Sequence, residues 1–159
     1  VILGEGKERA ALERLARELG VADAVNLPGF APNPFAYMAR AALFVLSSAH
    51  EGLPGVLIQA LACGCPAVST DCPSGPAEIL EGGRWGPLVP VGDDAALAEA
   101  MLATLAAPLP RERLRERGAL FSVERAAERY RTLLFGGDAD APTPPEYADD
   151  ILRKSAGSG

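Results

Sequence analysis

No apolar run in this sequence is long enough to cross a bilayer, so a membrane-spanning helix is excluded by length alone. Positive charge is short: 15 Lys and Arg stand against 21 Asp and Glu, for a net charge of −6. That balance argues against non-specific attraction to nucleic acid, whose phosphates are met by basic surfaces. Cysteines are few and odd in number, at Cys63, Cys65 and Cys72, and no basic-apolar leader precedes the first pattern. The expectation is reduced thiols in a cytoplasmic protein, not a disulfide framework. Their spacing with His50 fits no standard zinc pattern. Core thiols, a loop histidine and no metal are therefore expected. No internal repeat is visible.

What is present is a regular alternation. The chain of 159 residues is 48% hydrophobic, enough for one domain with a real core. VILG reads as a strand, and Lys7 to Leu19 as an amphipathic helix with Ala11, Leu12, Leu15, Ala16 and Leu19 on one stripe. Gly20 ends it. Ala24 to Leu27 reads as a second strand and Pro34 to Ala41 as a short helix. Ala42 to Leu46 is an unbroken apolar run, the pattern of a strand buried on both faces. Pro54 to Cys63 reads as a helix, with Pro in its first turn and Gly64 at its end. Ala67 to Thr70 is a strand, Gly75 to Glu81 a short helix, and Gly86-Pro87-Leu88-Val89 a turn and strand. Asp93 or Asp94 caps a helix to about Ala106. Arg111 to Gly118 and Val123 to Phe135 are two more helices, the first a charged run expected to face solvent or, less simply, anionic lipid. Strands alternating with helices predict βαβ units, an α/β fold with a Rossmann-like parallel sheet flanked by helices. Residues 1–135 form the expected domain. Residues 136–159, rich in Gly, Pro and acid, read as a flexible tail with a turn of helix near Ile151.

Ligands of parallel sheets sit outside the carboxyl ends of the strands. Four loops reach that edge: Gly4 to Lys7, Pro28 to Pro32, Ser47 to Pro54 and Thr70 to Pro76. The third runs into EGLPGVLIQALACGCP, which places the acid Glu51 just ahead of a helix start. Free backbone N–H groups at that start favour an anion, either this carboxylate or a ligand phosphate. An ionised carboxylate only accepts hydrogen bonds, and sugar hydroxyls donate them. Gly55 and Gln59 are four apart and share a helix face, where the absent side chain of Gly55 leaves room beside the amide. Gln59 also reads as a core amide with its own partner, or as a plain surface residue. Gly4-Glu5-Gly6 lacks the third glycine of a dinucleotide fingerprint. Lys7 reads as a solvated helix residue or as a cation facing the cleft.

The stretch SSAHEGLPGVLIQALACGCPAVSTDCPSGPAEIL resembles the donor-site segment of the retaining glycosyltransferases of family 4, which have the two-domain GT-B fold. VILGEGKERAALERLARELGVADAVNLPGF resembles the preceding strand, helix and strand of the family's C-terminal domain, and GRWGPLVPVGDDAALAEAM its following segment. The resemblance implies that Glu51 meets the hydroxyls of the donor sugar and that Gly52, Leu53 and Pro54 line the sugar and diphosphate. It implies that Gln59 faces the ribose, and that Gly29 and Phe30 meet the nucleobase. Gly4 and Gly6 join the binding set.

Two departures from the family pattern stand out. The family places a second acid eight positions after the first, and this chain has Gln59 there. Exchanging a charged acceptor for a neutral one costs about 1–2 kcal/mol of binding. The family's domain also opens with an earlier strand and helix carrying an Arg and a Lys for the diphosphate. The expectation is therefore half of a glycosyltransferase: a donor domain for UDP-hexose or UDP-N-acetylhexosamine, without metal, silent in isolation. Its acceptor would be a glycan or a lipid-linked sugar held by an N-terminal domain. The chain would be cytoplasmic, with peripheral contact to the inner membrane face as a further option. A sheet edge left unpaired would invite self-association. Two alternatives stay open at this point: half of a GT-B sugar phosphorylase or epimerase, and a non-catalytic binding or assembly module.

Overall fold

A computed structural model describes residues 1–136 of the chain. The expected flexible tail and its helical turn near Ile151 lie outside the described residues. Three strands form a parallel sheet: β1 (Phe44–Leu46), β2 (Ala67–Thr70) and β3 (Leu88–Val89), in the order β1-β2-β3. Phe44 pairs with Ala67 and Leu46 with Ser69, while Ser69 pairs with Leu88 on the other side. The central strand β2 is buried along its whole length. A strand paired on both sides and covered on both faces is apolar or internally bonded throughout. Its two polar residues comply: Ser69 Oγ donates to Thr70 O at 2.9 Å, and Thr70 Oγ1 to Ser48 O at 2.6 Å.

The helices are α1 (Arg9–Glu18), α2 (Pro34–Arg40), α3 (Gly55–Ala62), α4 (Pro76–Ile79), α5 (Asp94–Ala106), α6 (Arg111–Ala119) and α7 (Val123–Phe135). α3 links β1 to β2, and α4 links β2 to β3, as βαβ units require. Side-chain oxygens cap three helices: Asn33 accepts from Ala36 N at α2, Asp93 from Ala96 N at α5, and Ser122 from Arg125 N at α7. α6 lies directly on α3. An added Cβ at Gly118 would sit 2.5 Å from Ala62 N, so the two backbones touch there and only glycine fits. Leu57, Ala60 and Leu61 of α3, Leu114 of α6, Val68 of β2, and Ile79 and Leu80 are fully buried. The chain divides into two compact units, the first spanning Val1–Leu120. The described part of the second is α7, an amphipathic helix ended by Gly136 at φ 70°.

The structure corrects several expectations. VILG and Ala24 to Leu27 do not form ladder strands; their vicinity yields one parallel bridge, Leu3 with Gly29. Ala22–Ala24 is a 3-10 turn, which takes the start of the second expected strand. Pro28 has no N–H to extend the pairing. β1 starts at Phe44, not Ala42, and Phe44 and Val45 are only half-buried, because among the described residues β1 is paired on one side only. The apolar stripe of α1 buries Ala16 alone, and Leu12, Leu15 and Leu19 are exposed. The charged run at α6 is solvated at Glu112, Arg113, Arg115 and Glu116, but its other face turns inward. Arg117 is buried and Leu114 fully so, and Arg111 donates to Ala39 O at 2.8 Å and Ala41 O at 3.2 Å. No described helix is long and apolar enough to cross a membrane.

Candidate donor site

The loop after β1 carries Glu51 to the carboxyl edge of the sheet. Ser48 Oγ donates to Glu51 Oε1 at 2.7 Å, so one carboxylate oxygen is fixed by a neighbour three residues earlier. Thr70, at the end of β2, holds the same loop by its bonds to Leu46 O at 3.3 Å and Ser48 O. Pro54 is the N-cap of α3 and is buried; it satisfies φ there without needing a donor. Its side chain offers no cap bond, so the first N–H groups of α3 remain available at the helix mouth. Gly52 and Gly55 both face open space, where an added Cβ would meet nothing within 4 Å.

The loop after β2 closes the group from the side. Ser74 adopts φ 58° and Gly75 φ 83°. A left-handed serine is uncommon, and it is held by Ser74 Oγ within 3.2 Å of Glu51 O. A Cβ on Gly75 would collide with the carbonyl oxygen of Gly52 and lie 2.5 Å from Pro54 Cδ. Gly75 is thus the surface on which the Glu51 loop rests. The sequence reading placed Thr70 to Pro76 at this edge but gave no role to Ser48, Thr70, Ser74 or Gly75. The signal for the last two is Pro-Ser-Gly-Pro, a turn with a glycine suited to positive φ.

A second group forms from the two N-terminal loops. Gly4 N donates to Gly29 O at 2.8 Å, and Gly6 O accepts from Arg9 N at 3.2 Å where α1 begins. Gly29 is buried at φ 83°, and Phe30 beside it is 79% exposed. Among the described residues no hydrogen bond joins this group to the Glu51 group. The structure brings Glu51, Gly52 and Pro54 together, and separately Gly4, Gly6 and Gly29. Leu53 is exposed. Gln59 is exposed on α3, one turn beyond Gly55, so it is a surface amide and not a core one. Lys7 is 91% exposed, with Glu8 at 4.0 Å. Cys65 and Cys72 are buried thiols and Cys63 is half-buried. Burial pushes the Cys65 thiol above its ordinary value. His50 is an exposed loop residue.

These features define a class: a parallel α/β domain with glycine-bearing loops and the acid Glu51 at the carboxyl edge of its strands. The chain belongs to the family described as glycosyl transferases group 1, whose sequence model matches residues 1–107. A curated relative from Campylobacter jejuni is 40% identical over 101 residues, covering 64% of this chain and 28% of that protein. It is named N-acetylgalactosamine-N,N'-diacetylbacillosaminyl-diphospho-undecaprenol 4-alpha-N-acetylgalactosaminyltransferase. The lipopolysaccharide core biosynthesis glycosyltransferase LpsE of Rhizobium meliloti is 36% identical over 138 residues, covering 84% of this chain and 40% of that protein. The apo form of the lipopolysaccharide outer core galactosyltransferase WaaB superposes with a TM-score of 0.76 at 23% identity, over 85% of this chain and 40% of that one. The fold is therefore the Rossmann-like half of a GT-B glycosyltransferase. The chain spans well under half the length of these relatives.

Proposed function

We propose that this chain is the donor-binding part of a retaining glycosyltransferase that takes a nucleotide sugar, UDP-hexose or UDP-N-acetylhexosamine, and supplies it to a glycan or lipid-linked acceptor. The observation that carries the reading is the Glu51 carboxylate. Ser48 orients it at the sheet edge, and open space at Gly52 and Gly55 lies just ahead of the α3 N-terminus. Glu51 Oε1 already accepts from Ser48, which leaves the second oxygen to accept from a sugar hydroxyl. The α3 mouth offers N–H groups and the positive end of the helix dipole to a diphosphate. Gln59, one turn along, reaches the ribose through its amide. Phe30 and the backbone of Gly29 take the base. No step of this reading needs a metal. Two named relatives act in glycan assembly, one on a diphospho-undecaprenol-linked acceptor and one in lipopolysaccharide core synthesis, which supports the acceptor class and polysaccharide biosynthesis. On this reading the relatives' remaining length corresponds to the acceptor half, and the chain alone binds donor without transferring it.

The test is a titration of UDP, GDP and ADP into isotope-labelled chain, followed by backbone amide NMR. Shifts at Gly29, Phe30 and Gly52 to Gln59 with one nucleotide are expected. A folded chain that shows none at millimolar ligand overturns the donor-site reading. It would instead favour a non-catalytic module, the reading that Gln59 at the family's acidic position favours.

A further inference from the structure

Arg9 makes more directed contacts than any exposed cation needs. Its Nε donates to Glu5 Oε2 at 2.9 Å and its Nη2 to Glu5 Oε1 at 2.8 Å, a bidentate pair. Nη1 donates to Glu13 Oε1 at 3.1 Å. Nη2 also donates to the backbone carbonyl of Leu27 at 2.9 Å, eighteen residues along the chain. The guanidinium therefore joins α1 to the segment that leads into Pro28-Gly29-Phe30. Glu5, held in place by Arg9, packs on Gly29: an added Cβ there would stand 2.6 Å from Glu5 Oε1. Gly29 is thus pressed from one side by the carboxylate and bonded from the other through Gly4 N.

A surface ion pair is worth little for stability. This one is placed where stability is not its main effect. The expected strands that would have held the Gly29 loop are reduced to one bridge, Leu3 with Gly29, and a backbone bond from Ile2 N to Asn26 O at 2.9 Å. Backbone pairing alone is a thin support for a loop that must present a carbonyl and an aromatic ring in one geometry. A planar fork that grips a carboxylate and a carbonyl together supplies the missing constraint, and a lysine cannot reproduce it.

We propose that Arg9, acting through Glu5 and Leu27 O, is a positioning residue for the nucleobase loop, holding Gly29 and Phe30 in the geometry that selects the base. The proposal rests on the donor-site reading above. Arg9 touches no part of the nucleotide; it fixes the loop that does. It follows that losing the fork weakens binding and blurs base choice while leaving the fold in place.

The experiment uses the 159-residue chain and its Arg9→Ala, Arg9→Lys, Glu5→Gln and Arg14→Ala variants. Arg14 is an exposed α1 residue and serves as the control. Dissociation constants for UDP, GDP and ADP are read by NMR, melting by circular dichroism, and amide exchange at Gly4, whose N–H bonds Gly29 O. Arg9→Ala and Arg9→Lys should each weaken the preferred nucleotide about five- to tenfold. Both should narrow the ratio between the preferred and the other two nucleotides, and both should speed Gly4 exchange. Glu5→Gln should act in the same direction with a smaller effect, and it remains informative should Arg9→Ala fail to fold. Arg14→Ala should stay within about twofold. Folded Arg9 variants with unchanged affinity, selectivity and Gly4 exchange overturn the proposal. Should the parent chain bind no nucleotide, the donor-site reading falls. The clamp is then decided by exchange alone: unchanged Gly4 protection in Arg9→Ala refutes it, and faster exchange supports loop positioning.

Discussion

Arg117 offers the sharpest stability test in the molecule. It is 8% exposed, and its Nε donates to Ile79 O at 2.9 Å and its Nη2 to Glu78 O at 2.7 Å. Both carbonyls belong to the end of α4; Glu78 O also accepts from Glu81 N at 3.3 Å, whereas Ile79 O has Arg117 as its donor. Nη1 lies 2.7 Å from Glu81 Oε1. Replacing Arg117 with Met keeps a long side chain and removes every donor. Orphaning the buried Ile79 oxygen then costs about 2 kcal/mol, and Glu78 O, which keeps its Glu81 N–H donor, loses a charge-assisted bond at about 1 kcal/mol. The sum for the two carbonyls is about 3 kcal/mol, which for a chain of this size lowers Tm by roughly 10 °C. Arg117→Ala should lose more, because the buried side-chain stem goes as well. Thermal melting by circular dichroism reads this directly. A folded Arg117→Met protein melting within about 2 °C of the parent would refute the reasoning that these carbonyls depend on it.

The same residue carries a pH signature. The nearby indole N–H of Trp85 holds the Glu81 carboxyl below its ordinary value without closing a well-formed hydrogen bond, and the Arg117 and Arg84 guanidiniums add to the effect. A folded-state value below the unfolded one gives stability that is present above the unfolded carboxylate range. That stability is lost as pH falls through the folded value. The deficit of Arg117→Met relative to the parent should therefore be largest near neutral pH and shrink on acidification. A deficit that grows in acid would contradict the pairing.

Three further outcomes bear on the candidate site. Gln59→Glu restores the charged acceptor and should tighten nucleotide binding about five- to thirtyfold, read by the same NMR titration; no gain would remove Gln59 from the ribose subsite. Glu51→Gln should leave UDP affinity within about twofold while abolishing any advantage of a UDP-sugar over UDP, since the lost contact is to the sugar. Gly75→Ala forces a side chain against the Gly52 carbonyl and the Pro54 ring at φ 83°, and should cost about 3 kcal/mol in urea unfolding and shift the Gly52 and Pro54 resonances; a neutral result would mean the loop is not braced there.

The sequence carried the sheet because its strands after residue 40 are short apolar runs punctuated by Gly and Pro, and β2 and β3 lie where AVST and LV stand. The cap of α5 was legible for the same local reason, Asp93 being a short acceptor ahead of an apolar run, while the Asn33 and Ser122 caps went unread. The N-terminal strands misled because VILG and AVNL have strand composition, whereas pairing is a tertiary property. The 3-10 turn at Ala22–Ala24 and Pro28 limit it to one bridge. α6 misled because charge along a sequence does not say which arginine turns inward. Leu114 and Gly118 bring that face onto α3, and Arg117 lies between them in the chain with carbonyls to satisfy. Glu51 was legible from its place before Gly-Leu-Pro-Gly. Its supports Thr70 and Ser74 were not, because hydroxyls bonding backbone carbonyls across a loop leave no spacing rule behind, and Ser48, three residues before the carboxylate it bonds, went unread.

How the two groups divide the work follows from their construction. The Glu51 group is rigid through backbone contact and hydroxyl bonds, and no arginine or lysine hydrogen-bonds within it among the described residues. The α3 dipole and its free N–H groups contribute about 0.3–2 kcal/mol toward an anion. A millimolar dissociation constant corresponds to about 4 kcal/mol. On the proposed reading, the diphosphate alone therefore leaves most of even a weak affinity to be found elsewhere. The base loop held by Arg9 and the amide of Gln59 are the candidates to supply it. A comparison of UDP with uridine and with inorganic pyrophosphate separates these shares. Uridine should retain most of the UDP binding free energy and pyrophosphate little of it. The opposite order would place the strong contacts at the α3 mouth and strip the base loop of its assigned role.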